Sequence, residues 1–386
     1  MAPYGLRRAI WWLVSFTVLS GALGACAGPR AVRASDAPTP RAVSPDYSYR
    51  FRRGVSVSHW LSQNSLFRPY AARWFGEEDL EWIAAQGFDH IRVPVDGRRW
   101  SRPDGSLDAA AMAPFDEALR HARELGLGVV LDMHVLPGAA FDQGTDQNTV
   151  FVDLGVQAAV AELWHRVAAR YAQEGPWLRF EILNEPVAPS AALLNTFQKN
   201  MLAAIRRSDS TRVVYLTSNR WSSFDTVPEV EVVDDPYVAF TFHFYKPMLF
   251  THQGALWAKL PLFMPSVSFP GAVPDLTGFM DKKHYAWVAP GVQLTIAEQI
   301  DEPFAAVASW AATEAAGHEI YIGEFGVYDR AEASSRRNYV AAVRAACERH
   351  GFGWAVWTYM GGFAVRDPNG RPTAVLLGLF SPPAAR

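Results

Sequence analysis

Eight short runs rich in β-branched and aromatic residues recur along this chain, at 54–58, 90–95, 128–134, 178–184, 213–218, 238–245, 320–325 and 353–359. Several are apolar without interruption, as strands of a parallel sheet buried on both faces must be. Amphipathic helical patterns separate most of them. Val156, Val160, Leu163 and Val167 fall on one helical face, and 116–125 and 336–350 read similarly. After the fifth run the signal fades, because 220–235 shows no clear period. Alternation sustained over eight strands predicts an α/β fold of one kind, a (β/α)8 TIM barrel. At 386 residues, 49% of them hydrophobic, the chain can fill the core of one such domain and still carry a tail.

The tail reads as a targeting segment. Arg7 and Arg8 precede an apolar stretch over 9–23, which is short of the roughly 20 residues a membrane span needs and fits a signal peptide. It ends Leu23-Gly24-Ala25-Cys26, which resembles the bacterial lipobox. That implies residues 1–26 as signal peptide and export to the cell envelope, with a lipid anchor on Cys26 making the membrane a partner. Ala25-Cys26-Ala27 also fits an ordinary cleavage site that would release a soluble protein. Residues 27–49, rich in Pro, Ala, Ser and Arg, cannot bury enough apolar surface to order themselves and read as a tether. The folded domain is expected over 50–386. Cys347, the only other cysteine, lies at helical spacing from Val340 and Val343 and is expected as a buried core thiol.

Some function classes are excluded early. A net charge of -3 without any basic block makes nucleic acid a poor partner. The histidines are scattered, and neither an HExxH motif nor a cysteine cluster offers a metal site. No glycine-rich loop opens a helix to hold a phosphate, so no cofactor is expected.

In a barrel of this kind chemistry gathers where the strands end. Arg92 lies on the second run. The third ends at His134, the fourth at Asn184-Glu185-Pro186 and the sixth at His243-Phe244-Tyr245. The seventh ends at Gly323-Glu324-Phe325-Gly326 and the eighth at Trp357-Thr358-Tyr359. Two of these positions are glutamates, on strands four and seven, which face each other across a barrel mouth. Facing carboxyl groups are what glycoside hydrolysis needs: one protonates the leaving oxygen, the other attacks the anomeric carbon or activates water. The 14 tryptophans are compatible with sugar binding, since sugar C–H faces stack on flat apolar rings. Asp132, two residues before His134, is expected to point away from the mouth, and Pro186 to bias Glu185 towards extended backbone.

Asn184-Glu185-Pro186 and Gly323-Glu324-Phe325-Gly326 resemble the strand-four and strand-seven signatures of glycoside hydrolase family 5, the cellulase family. Arg92, His134, His243, Tyr245 and Trp357 match its other active-site positions in order, and Gly54-Val55-Ser56-Val57-Ser58-His59-Trp60 resembles its opening strand, with Ser56 where Asn is common. The resemblance implies Glu185 as acid/base and Glu324 as nucleophile in a retaining reaction. Arg92 and Tyr245 would stabilise the Glu324 charge, and Asn184 would hold the sugar 2-hydroxyl. His134 and His243 would fix hydroxyls or the acid/base geometry, and Trp357 would floor the cleavage point beside a cis Trp357-Thr358 bond. His59, Trp60, Trp100, Trp221, Trp257 and Trp287 are candidate outer sugar contacts. The 246–295 stretch, rich in Pro and aromatics, would wall one end of the cleft.

The family implies an endo-β-1,4-glucanase acting on a β-linked polysaccharide. Mannan, xyloglucan and β-1,3-glucan, exo action, and transfer to a sugar acceptor in place of water remain open at this stage. The competing class is a non-catalytic surface protein that binds glycans on the same barrel, against which the two facing glutamates speak.

Overall fold

A computed structural model of the protein describes residues 51–63, 75–141, 148–279 and 289–380. The signal segment, Cys26, the tether and Trp287 lie outside the described residues. The barrel strands are β1 (Arg53–Ser56), β2 (His90–Asp96), β3 (Gly128–Leu136), β4 (Leu178–Glu181), β5 (Val214–Thr217), β6 (Val238–Phe244), β7 (Ile320–Phe325) and β8 (Gly353–Val356). Each pairs in parallel with the next, and β8 pairs with β1 to close the ring, as the alternation predicts.

Strand alternation sorts side chains between two cores. On β4, Leu178 and Phe180 point outward, where Phe180 meets Trp164 of the helix α3 (Leu154–Arg170) at 5.4 Å between ring centres. Arg179 and Glu181 alternate with them and point inward. The barrel floor is aromatic and polar together. Tyr215 and Tyr321 stack at 4.7 Å, and the Arg179 guanidinium lies 3.8 Å over the ring of the buried Phe51. Arg179 Nη1 donates to Tyr215 Oη at 2.6 Å and to Glu319 Oε1 at 2.8 Å. Phe51 fits only because strands begin with glycine there: a Cβ on Gly128 would lie 2.5 Å from its Cζ, and one on Gly353 2.1 Å from its carbonyl oxygen.

Around the barrel pack α1 (Glu77–Ala85), α2 (Ala109–Glu124), α3, α4 (Ala191–Arg206), α5 (Glu302–Thr313), α6 (Ala333–His350) and α7 (Ala374–Phe380). Side-chain oxygens of Asp108, Asp153 and Ser190 accept the first free amides of α2, α3 and α4. The Asp108 cap starts α2 ahead of the periodic stretch and carries it through Pro114. Between β5 and β6 only short turns occur, including a 3-10 turn at Phe224–Glu229, consistent with the missing period there. Cys347 is buried on α6. The 246–279 excursion is tied to the core by Phe250 and Phe269, which flank Tyr339 at 5.6 and 5.3 Å, while Tyr339 Oη donates to the Lys246 carbonyl at 3.1 Å.

Candidate active site

Arg92, fully buried on β2, organises the mouth. Its Nε and Nη2 grip Glu181 at 2.7 and 2.8 Å, Nη2 also reaches Asn184 Oδ1 at 2.8 Å and Asp132 Oδ2 at 3.0 Å, and Nη1 donates to Glu324 Oε1 at 2.8 Å. Burial works against its charge, but Asp132, Glu181 and Glu324 more than compensate and hold its pKa well above the ordinary value.

Asp132 therefore faces the site, against expectation. Residues two apart on a strand share a face, so Asp132 and His134 point together, and Asp132 Oδ2 sits 2.7 Å from His134 Nδ1. Burial pushes the Asp132 carboxyl up to about 7, with Arg92 opposing. Burial also brings the His134 pKa down to about 4. The His134 ring stacks on Trp357, 5.7 Å away and only 7° from parallel, and the Trp357-Thr358 bond is cis as expected.

Glu185 and Glu324 meet around His243. The imidazole Nδ1 lies 2.9 Å from Glu185 Oε1 and 3.6 Å from Glu324 Oε2, and one oxygen of each carboxyl lies with a His243 nitrogen inside a 4.8 Å set. Tyr245 Oη donates to Glu324 Oε2 at 2.9 Å, and burial beside Glu324 keeps that phenol protonated. Burial lifts both carboxyls, Glu185 to about 8 against the pull of Arg92, and Glu324 against His243 and Arg92. Of the two carboxyls, Glu324 receives bonds from both a guanidinium and a phenol, which favour its charged form, whereas Glu185 has neither. The His243 pKa falls to about 4 through burial, leaving a neutral ring. Glu185, His243 and Glu324 are also the donor set a cation would use, and the bonds just described already engage all three.

The backbone at Glu185 is not extended: its φ is 41°. Asn184 N still bonds to Met133 O at 3.0 Å, three residues beyond the end of β4, and Pro186 O accepts from Trp221 N at 3.2 Å. Anchored on both sides, the turn holds Glu185 in the left-handed region that a bulky residue otherwise avoids.

The outer contacts divide. His59 comes to the site, with its ring 6.2 Å from Trp357. Trp221 is 52% exposed and donates Nε1–H to Phe141 O at 2.9 Å. Trp257 is exposed beside Tyr328. Trp60 is half-buried against Phe75, 4.9 Å away. Trp100 is 2% exposed and packs on Phe115 in the outer core, which removes it from the sugar contacts. Glu181 and Asp132 were not foreseen. The signal for Glu181 is a charged residue alternating with Leu178 and Phe180 in a buried run.

Two carboxyl groups at this spacing at the rim of a parallel barrel are the equipment for cleaving a glycosidic bond, and the protein is a glycoside hydrolase. The family follows from comparison with known proteins. The sequence model of glycosyl hydrolase family 5, the cellulases, matches residues 56–362, and the chain belongs to that family. Endoglucanase C of Acetivibrio thermocellus is 31% identical over 314 residues, 80% of this chain and 91% of the relative. Cellodextrinase A of Ruminococcus flavefaciens is 28% identical over 78% of this chain and 82% of its own length. The crystal structure of endoglucanase Cel5A from Thermotoga maritima superposes with a TM-score of 0.66 at 25% identity, covering 86% of this chain and 97% of that one.

Proposed function

We propose that this glycoside hydrolase is an endo-acting β-1,4-glucanase working by double displacement, with Glu185 as acid/base and Glu324 as nucleophile. The observation that carries the mechanism is the carboxyl pair, with oxygens inside 4.8 Å. That spacing suits direct attack and retention, whereas inversion needs about 6.5–9.5 Å to admit a water between the groups. The raised Glu185 pKa supplies the proton for the leaving oxygen. Arg92 and Tyr245 steady the Glu324 anion, and His243 fixes the position of the Glu185 carboxyl. Asn184 Oδ1 is taken by Arg92 while its Nδ2 has no hydrogen-bond partner among the described residues, which leaves that amide to donate to the sugar 2-hydroxyl. Trp357 backed by His134 serves as the floor, and Trp221 as a platform beside Glu185.

The names of the relatives, endoglucanases and a cellodextrinase, support β-1,4-glucan and its oligomers as substrate. Reducing ends should be released from a β-glucan in a polysaccharide panel and lost in Glu185→Gln and Glu324→Gln. Glycan binding without cleavage of any polymer would replace this reading with a binding protein.

We further propose residues 1–26 as a signal peptide, 27–49 as a tether and 50–386 as the catalytic domain, exported and lipid-anchored at Cys26. Leu23-Gly24-Ala25-Cys26 supports this, and mass spectrometry of the mature N-terminus tests it.

A further inference from the structure

From Tyr245, on the Glu324 side of the mouth, an aromatic path leads away from the catalytic centre. Tyr245, bonded to Glu324, lies 6.2 Å from Phe363 between ring centres, Phe363 lies 5.3 Å from Tyr328, and Tyr328 lies 4.8 Å from Trp257. His252 fills the angle between Tyr245 and Phe363 at 4.9 and 5.3 Å, and burial lowers its pKa to about 4, so no charge interrupts the path. Phe363 is buried, and the path comes to the surface at Tyr328 and Trp257. Three separate loops build the path. Trp257 comes from the 246–279 excursion, Tyr328 from the loop after β7 and Phe363 from the loop after β8.

The loops are fastened to one another. Tyr328 N donates to Thr251 O at 2.8 Å, and Asp329 N donates to Gly362 O at 2.7 Å. Gly362 has no side chain because a Cβ there would lie 2.2 Å from the Tyr328 ring. Trp257 meets Tyr328 at 83°, edge to face, and remains 64% exposed. Asp329 and Arg330, both more than half exposed, edge the same platform, and the Arg330 stem packs over Gly254. Flat apolar rings with hydrogen-bonding groups at the rim match a sugar, which has apolar C–H faces and an equatorial fringe of hydroxyls.

From this arrangement we infer that Trp257 and Tyr328 form a distal subsite for glucosyl units of the same β-1,4-glucan chain, remote from the bond being cut. The inference rests on the proposed glucanase activity and adds to it the dependence on chain length. A contact made only by distal units contributes to binding alike before and in the transition state, so its loss raises KM and spares kcat.

The test uses the full chain and Trp257→Ala, with kcat and KM measured on cellohexaose and on cellotriose. The expected result is a KM about tenfold higher for cellohexaose, equivalent to about 1.4 kcal/mol of binding, with kcat unchanged and both constants for cellotriose unmoved. Trp257→Phe should restore most of the cellohexaose KM. Equal changes on both substrates, or none on either, overturn the inference and leave the assignment of Glu185 and Glu324 standing. A wild-type chain that cuts neither oligosaccharide overturns the glucanase reading and the subsite with it.

Discussion

Asp132 orients His134: its Oδ2 lies 2.7 Å from the imidazole Nδ1 while the same oxygen forms an ion pair with Arg92 Nη2 at 3.0 Å. The imidazole is thereby held nearly parallel to Trp357, and the guanidinium is held towards Glu324. Replacing Asp132 with Ala frees both groups without touching a reacting atom. We expect kcat/KM on β-glucan to fall about 100-fold, the scale associated with displacing catalytic groups by about 1 Å. Activity within a few-fold of wild type would show that His134 and Arg92 are held adequately by their other neighbours.

The two raised carboxyls predict a bell-shaped pH profile. The active form has Glu185 protonated and Glu324 ionised, so kcat/KM should fall on the alkaline side as Glu185 titrates at about 8. The acid limb belongs to Glu324 and should lie above the ordinary carboxylate range, because burial raises that group. Stability carries the same signature. Folding raises the Glu185 pKa, so the folded state holds this proton more tightly. Its contribution is complete below the unfolded value and is lost as pH rises through about 8. Glu185→Gln cannot ionise and should lose less Tm than wild type between about pH 6 and pH 9. Parallel Tm curves for the two proteins would contradict the raised pKa.

Arg92→Lys preserves charge and removes the fork. A single ammonium cannot bridge Glu181, Asn184 and Glu324 together. Breaking a buried ion pair leaves acids without a partner, and we expect a loss of about 3–5 kcal/mol in urea unfolding, together with loss of activity. An unchanged unfolding midpoint would mean that the acids find other donors.

Trp221 stands in an unusual backbone run. Arg220, Trp221 and Ser222 have φ of 52°, 61° and 54°, three successive left-handed residues without a glycine. Each such residue costs roughly 1–2 kcal/mol, yet the turn is held at Trp221, whose backbone N donates to Pro186 O and whose indole Nε1 donates to Phe141 O. Trp221→Ala and Trp221→Gly should both raise KM on polymer about tenfold. Glycine should be the more stable of the two by about 1 kcal/mol, since it occupies this region freely. Equal KM for wild type and both variants would reduce Trp221 to a structural residue.

Much of this site could be read from strand ends. Glu185, Glu324, Arg92, His243 and Tyr245 each follow or sit within an apolar run whose direction is fixed by the parallel barrel, so sequence order alone brings them to one rim. What failed was finer than order. Asp132 departs from its expected direction because period-two alternation puts it on the same face as His134. The Glu185 backbone defied the preference imposed by Pro186 because tertiary bonds on both sides outweigh a local bias. Trp100 and Trp221 are chemically identical in sequence, and only the packing of Phe115 against the first and the turn beneath the second distinguish core from platform.

Phe51 closes the pole from which every strand starts, with Arg179 over its ring and two glycines making its berth. The polypeptide therefore enters the described barrel at the pole where the strands begin, opposite the rim that carries the carboxyl pair. A bead, an electrode or a fused scaffold coupled ahead of this residue would load the closed pole and leave the rim open. A polymer too long to turn could then be cut in mid-length by an enzyme already fixed in place.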